Sequence, residues 1–90
     1  MNYYKRNLDV FSKKIREYCP DIEPIEDRKT GNMGNTLWMI EQIPFMTDQD
    51  KIGRWIGWIQ SKVHSAGLAT LDEILDLTRA DLANLNTGTS

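Results

Sequence analysis

The stretch KIGRWIGWIQ, residues 51–60, decides how this chain folds. One line of branched apolar side chains begins in it and recurs at steps of four, three and four residues: Ile52, Ile56, Ile59 and Val63. This spacing is typical of one buried side of an α-helix. Trp55 and Trp58, with Lys62, make a second line beside the first, so the apolar arc is wide. The pattern predicts that a helix from about residue 47 to 66 lies at the centre of the fold.

Two glycines interrupt this helix on one of its sides. Gly53 and Gly57 lie four residues apart, and each costs about 1 kcal/mol relative to alanine in a helix interior. Such a cost needs compensation, and bare backbone allows another backbone or a tryptophan ring to approach closely. We therefore predict helix packing at Gly53 and Gly57.

The tryptophans allow two interpretations. Trp55 and Trp58 share a helix side that Trp38, on a neighbouring helix, can meet, and such clusters are commonly core with each indole N–H bonded to one partner. Alternatively, the three rings and Arg54 form an interaction surface, because Trp and Arg are enriched among the residues that dominate protein interfaces. The two interpretations predict different exposure of the rings.

The first part of the chain predicts one helix and a long surface loop. An apolar stripe at steps of four and three indicates a helix over about residues 3–18: Tyr4, Leu8, Phe11, Ile15 and Tyr18. Pro20 ends this helix, and residues 20–35 are rich in Pro, Gly and polar side chains. That composition is typical of a connection that lies on the surface.

Capping residues predict where the next two helices begin and end. Asn35 or Thr36 caps a short, nearly all-apolar second helix, which Pro44 interrupts. Thr47 is the predicted N-cap of the third helix, because acidic residues follow it and favour the positive end of the helix dipole. Gly67 is its predicted stop.

A capping box predicts the last helix. Thr70 and Glu73 have the Thr-x-x-Glu spacing, and an apolar stripe follows: Leu71, Ile74 or Leu75, Thr78, Leu82 and Leu85. The fold prediction is an all-α protein, a small bundle of three to four helices with one long surface loop. Residues 1–86 form its single domain and residues 87–90 a flexible tail.

Composition and charge exclude several classes of protein. The 90 residues are 40% hydrophobic and 27% charged, with a net charge of −2, which is typical of a globular chain and not of a polyanion-binding one. No run approaches the roughly 20 apolar residues of a membrane span. Cys19 is the only cysteine, which favours a reducing, cytoplasmic setting without a disulfide.

The two ends of the chain carry opposite charge. Residues 1–19 have five cations against two carboxylates, a net +3, and residues 71–90 have one against four, a net −3. The ends can pair with each other or with a second copy. The five cations also make a possible nucleic-acid contact on the polar side of the first helix: Lys5, Arg6, Lys13, Lys14 and Arg16.

The side chains that carry chemistry form no catalytic or metal-binding set in the sequence. His64 is the only histidine, which removes the usual zinc ligand sets and leaves a catalytic triad dependent on one residue. The acidic groups lie at predicted helix starts, where capping explains them. Glycines in residues 30–35 favour left-handed loop backbone over an anion cradle. We expect no enzyme activity, no cofactor and no metal.

Part of the sequence resembles a family of small uncharacterised proteins encoded by tailed bacteriophages and prophages. The resemblance lies in Leu-Trp-Met at residues 37–39, Arg-Trp-Ile-Gly-Trp-Ile-Gln at 54–60, Gly-Leu at 67–68 and Thr-Leu-Asp-Glu at 70–73. It covers residues 36–75. It implies a phage accessory protein that acts in the host cytoplasm, and it brings no catalytic residues.

These observations lead to one functional hypothesis and two alternatives. The hypothesis is a non-enzymatic protein that binds and modulates a host or host-defence protein, as a homodimer with the tryptophans near its interface. One alternative is a nucleic-acid-associated protein that uses the basic first helix. The other is a sponge for a small nucleotide signal, held by Arg54 and a tryptophan.

Overall fold

The structure, a computed structural model, describes residues 4–26 and 32–87, the last four of these by their backbone only. The regular elements of the described chain are all helices: α1 (Lys5–Tyr18), α2 (Met33–Gln42), a 3-10 turn (Ile43–Phe45), α3 (Gln49–Ser65) and α4 (Leu71–Thr87). This confirms the predicted bundle of helices. Thr87, predicted to begin the flexible tail, is the last residue of α4, and residues 88–90 of the predicted tail lie outside the described residues.

The core forms around α3, as its apolar spacing predicts. All four members of the predicted line on α3 are buried, and they meet apolar side chains from the other helices: Leu8, Phe11 and Ile15 of α1, Leu37 and Ile40 of α2, and Ile74 of α4. Tyr18 was predicted to end the buried stripe of α1, and it is exposed. It is the last residue of α1, next to the end of that helix at Cys19.

Helix ends agree with the predicted caps to within a few residues. Gly67 ends α3 with a positive φ of 76°. A reciprocal pair of hydrogen bonds begins α4: the backbone N–H of Thr70 donates to the Glu73 carboxylate, and the backbone N–H of Glu73 donates to the Thr70 hydroxyl, both at 3.2 Å. The cap of α3 is Asp48, one residue after the predicted Thr47, because its carboxylate accepts from two backbone N–H groups.

The start of α2 differs from the prediction. Its N-cap is Asn32, whose side-chain oxygen accepts from the backbone N–H of Asn35 at 2.9 Å. Helix α2 therefore begins three residues earlier than a cap at Asn35 would place it. The earlier start puts Gly34 inside the helix, where a Cβ would stand 2.9 Å from the carbonyl oxygen of Glu23. Close approach of the connecting segment, and not a left-handed turn, explains this glycine; Gly31 lies outside the described residues.

The start of α1 is capped by a residue of α4, which lies near the other end of the sequence. Tyr4, the N-cap position of α1, makes no side-chain cap bond. Instead the buried carboxylate of Asp81 accepts from the backbone N–H groups of Arg6 (3.0 Å) and Asn7 (2.9 Å) and from the Asn7 side-chain amide. A carboxylate is favoured at this positive end of a helix.

Two further contacts complete this packing. The Gln60 amide donates to Oδ1 of Asn7 (3.0 Å) and to the Thr78 hydroxyl (2.9 Å), and so joins α3 to both α1 and α4. On the surface, Lys14 pairs with Glu73 at 3.1 Å. The oppositely charged ends of the chain therefore pair with each other, as one of the two predicted arrangements requires.

Candidate functional site

Aromatic side chains of α2, the 3-10 turn and α3 form an open, concave surface, here called the tryptophan surface. Its main pocket, of about 420 Å³, is lined by Asn35, Trp38, Met39, Lys51, Trp55 and Trp58. A second pocket of about 250 Å³ shares three of these side chains and adds three more: Gln42, Phe45 and Met46. The two pockets therefore belong to one continuous surface.

Some aromatic rings of the tryptophan surface pack against the core, and others are exposed to solvent. Trp38 and Trp55 are half-buried and pack against the core, with ring centroids 6.0 Å apart and planes tilted by 40°. Trp58 lies further out and is 46% exposed, while Phe45 is 84% exposed. Two rings thus anchor the surface to the fold, and two large apolar side chains remain in contact with water.

Cations border these rings. The ammonium group of Lys51 stands 5.3 Å from the centroid of the Trp55 ring, and that of Lys62 stands 4.7 Å from the centroid of Trp58. Neither lysine, nor Arg54, pairs with a carboxylate of the described residues. Cation–π contacts of this kind stabilise by about 0.5–1 kcal/mol where exposed, and they leave the positive charges available to a partner.

The structure brings together three of the four predicted interaction residues. Trp38, Trp55 and Trp58 line one pocket, whereas Arg54 is exposed and lies outside the lining. The cation that lines this pocket beside the tryptophan rings is Lys51, and not Arg54 as predicted. The exposure of the rings is divided between the two interpretations: Trp38 and Trp55 pack against the core, whereas Trp58 faces solvent. That these residues form an interaction surface stays a prediction.

The described residues place nothing against Gly53 and Gly57, where close packing was predicted. Both glycines are exposed, and no atom of the described chain lies within 4 Å of where a Cβ would stand. The isoleucine side of α3 makes the contacts with the core, and the glycines lie away from it. Their role in contacts with a second copy stays a prediction.

The cations predicted for nucleic acid are mostly held by the chain's own carboxylates. Ion pairs join Lys5 to Asp9 (2.6 Å), Lys13 to Glu17 (4.0 Å), Lys14 to Glu73 (3.1 Å) and Arg16 to Glu41 (3.1 Å). The Arg6 backbone is occupied at the cap by Asp81. A phosphate has to compete with these carboxylates for the basic side of α1.

Other kinds of site find little support among the described residues. They contain no group of three His, Cys, Asp or Glu side chains that could hold a metal ion, and none of their helices is both long and apolar enough to cross a bilayer. His64 is exposed on α3 and lies outside the tryptophan surface. Cys19 is a half-buried free thiol at the end of α1.

Sequence reasoning missed several members of the tryptophan surface, among them Met39, Phe45, Met46 and Lys51. Of these, Phe45 could have been predicted from the sequence. It follows Pro44, and because proline cannot continue a helix, Phe45 does not belong to the apolar stripe of α2. The other three gave no signal, because their position depends on how α2 crosses α3.

Comparison of this chain with protein-family models, with curated proteins and with solved structures gives no match. The candidate site is therefore defined by its own geometry, on an all-α bundle.

Proposed function

We propose that this chain is a non-enzymatic binding protein whose tryptophan surface takes an apolar segment of a partner protein. The observation that carries the proposal is the pair of exposed side chains, Trp58 and Phe45, beside a pocket floored by two further rings. Large aromatic side chains left in water are costly in a small domain, and such surfaces commonly mark interaction sites.

The chemistry of the pocket supports binding rather than catalysis. Among the described residues that line it, one side chain, Lys51, is ionisable, and the rest are aromatic, thioether or amide groups. Methionine and tryptophan provide an adaptable apolar surface, with Trp among the residues most often dominant at interfaces. Such a lining can hold an apolar side chain and hydrogen-bond its neighbours.

Charge indicates what surrounds the apolar anchor of the partner. Lys51, Arg54 and Lys62 have no carboxylate partner in the described chain, and two of them stand over the tryptophan rings. A partner segment with Asp or Glu beside its apolar side chains neutralises these cations as it binds. We therefore expect an acidic, amphipathic partner segment. In the setting that the phage resemblance implies, the partner is a host or host-defence protein.

Three observations favour a protein partner over a nucleic acid. Four cations of α1 are already ion-paired, which lowers the charge available to phosphates. The rings of Trp55 and Trp58 each have a lysine over one face, and stacking of bases on both faces is thereby hindered. Phe45 and the methionines add apolar area that a phosphate backbone does not use.

The experiment is a tryptophan-fluorescence titration with three probes. These are a short amphipathic peptide with leucine and phenylalanine anchors and Asp/Glu flanks, the same peptide with Lys in place of the acids, and single-stranded oligo-dT. The acidic peptide is expected to bind, and Trp58→Ala to weaken it by about thirtyfold, the effect of losing a dominant interface residue. Ile25→Ala, at an exposed position outside the surface, is the matched control.

Three results would contradict the proposal. One is no binding of the acidic peptide, another is equal binding of both peptides, and the third is stronger binding of oligo-dT, which would favour the nucleic-acid alternative.

A further inference from the structure

The two pockets of the tryptophan surface follow one another along α2. Both are lined by Trp38, Lys51 and Trp55. On α2 the larger pocket reaches back to Asn35, and the smaller reaches forward to Gln42 at the end of the helix. Asn35 and Gln42 are seven residues apart, which is two turns of helix or about 10 Å along its axis. The surface is therefore a groove with a pocket at each end and the three shared side chains between them.

Helices form both walls of this groove. On α3, Lys51, Trp55 and Trp58 recur at steps of four and three residues and so lie in one row along the helix. A matching row with steps of three and four residues runs along α2: Asn35, Trp38 and Gln42. The rings of Trp38 and Trp55 meet across the groove, with their centroids 6.0 Å apart. The groove thus runs between two helices whose side chains are in contact.

A segment that lies in this groove meets side chains rather than a backbone edge. The N–H and C=O groups of a helix interior bond within that helix. At the start of α3, the Asp48 carboxylate accepts from the N–H groups of Asp50 and Lys51. An extended segment would turn its own main-chain groups towards aromatic rings that cannot pair with them, which is costly. An α-helix bonds these groups internally, so the lining favours a helical partner.

The spacing of the pockets determines which partner side chains can enter them. On a partner helix, residues i and i+7 lie on one side and about 10 Å apart, which matches the step from one pocket to the next. Residue i+4 lies between them on the same side, opposite the three shared side chains. Lys51 is one of these; it is exposed, and its ammonium stands 5.3 Å from the centroid of the Trp55 ring. An acidic side chain at i+4 can pair with this ammonium.

We propose that the partner of the tryptophan surface is an amphipathic, acidic α-helix that lies along the groove between α2 and α3. Its apolar side chains at i and i+7 enter the two pockets, and an Asp or Glu at i+4 pairs with Lys51. This mode of binding rests on the proposed function of the tryptophan surface, and it specifies the conformation of the partner and the position of its acid.

Three short peptides of one composition, titrated against the full chain by tryptophan fluorescence, test this mode of binding. The first has leucine at i and i+7 and glutamate at i+4 in an alanine- and glutamine-rich host. The second exchanges that glutamate with the alanine at i+2, on the opposite side of the helix. The third arranges the same residues in the apolar–polar alternation of a strand. None contains tryptophan.

The first peptide is expected to bind and to gain helical circular dichroism as it does so. The second is expected to bind about fivefold more weakly, the effect of losing a partly exposed ion pair. The third is expected to bind at least about tenfold more weakly than the first, because it cannot place two leucines in the pockets from one side of a helix.

A variant of the chain isolates the contact with Lys51. Lys51→Gln is expected to abolish the preference for the first peptide over the second while the helical circular dichroism of the chain is kept. Lys13→Gln is the matched control, on an exposed lysine of α1 that lies outside the tryptophan surface, and it is expected to keep the preference.

The outcomes separate this mode of binding from the proposed function. Equal binding of the first and third peptides, or binding without a gain of helical signal, overturns the helical partner and leaves the proposed function standing. A preference that survives Lys51→Gln overturns the pairing with Lys51. If none of the peptides binds, the proposed function fails as well. Self-association in sedimentation equilibrium that Trp58→Ala abolishes would place a second copy in the groove, and it overturns the inference too.

Discussion

Two clusters on different sides of α3 use their side chains in opposite ways. The polar cluster of Asn7, Gln60, Thr78 and Asp81 is buried or half-buried, and its groups bond to one another and to the start of α1. The tryptophan surface is apolar and remains partly in water. Polar groups stabilise this fold, and aromatic groups are left for binding. Residue type alone therefore does not separate structure from function, whereas the contacts of each side chain do.

The largest effect expected from this comparison is at Asp81. Asp81→Ala removes the carboxylate that caps α1 and leaves the backbone N–H groups of Arg6 and Asn7 without that acceptor. Since a hydrogen bond to a charged group contributes about 1.5–3 kcal/mol, we expect a loss of about 3–4 kcal/mol in the free energy of unfolding, measured by urea denaturation.

Trp58→Ala and Asp72→Ala are the controls for this measurement. Trp58 on α3 and Asp72 on α4 are both exposed, and each substitution is expected to change the unfolding free energy by less than about 1 kcal/mol. If Trp58→Ala destabilises the chain as much as Asp81→Ala does, the tryptophan surface is part of the structural core and the comparison fails.

Two glycines inside helices sharpen the same comparison. Gly34→Ala sets a Cβ 2.9 Å from the carbonyl oxygen of Glu23, and we expect it to cost about 1–3 kcal/mol through overpacking. Gly57→Ala meets open space, and it is expected to stabilise the folded monomer by up to about 1 kcal/mol because alanine favours the helix. Thermal unfolding at low protein concentration, where a dimer is dissociated, measures both. Effects of the same sign would contradict the assigned environments.

Local patterns predicted most of the fold, and long-range contacts account for what they missed. The apolar line of α3, the stop at Gly67 and the capping box at Thr70 each depend on residues a few positions apart, and all three are confirmed. The cap of α1 by Asp81 spans 74 residues, so no local spacing can indicate it. Asp81 was visible only as part of the acidic end of the chain.

The candidate site was predictable to the extent that helix spacing determines it. Trp55 and Trp58 were placed together because they lie three residues apart, but the pocket needs Lys51 and Met39, whose meeting depends on how two helices cross. The glycines show the converse error. Their spacing indicated close packing, yet no described atom lies within 4 Å of a Cβ position at either glycine.

The smallest expected effect is the pH dependence at Glu73, an exposed counterpart to Asp81. The pKa of Glu73 is held below its ordinary value of 4.5, first by the backbone N–H of Thr70 and then by the Lys14 ammonium. A carboxyl whose pKa is lower in the folded state stabilises the fold above its unfolded pKa, and that stabilisation is lost as the pH falls through the folded pKa. Unfolding should therefore become easier as the pH drops below about 4.5, because the unfolded chain takes up this proton before the folded chain does.

Glu73→Gln isolates this charge, because glutamine also serves in a capping box. The difference in unfolding free energy between the parent chain and this variant is expected to be small at neutral pH and to shrink towards acid pH. Asp72→Asn, on the neighbouring exposed carboxylate, is the matched control, and urea denaturation at neutral and acid pH measures both. A difference that stays the same at neutral and acid pH would mean that Glu73 acts through the geometry of its capping bonds, and that its charge contributes nothing to the pairing of α4 with α1.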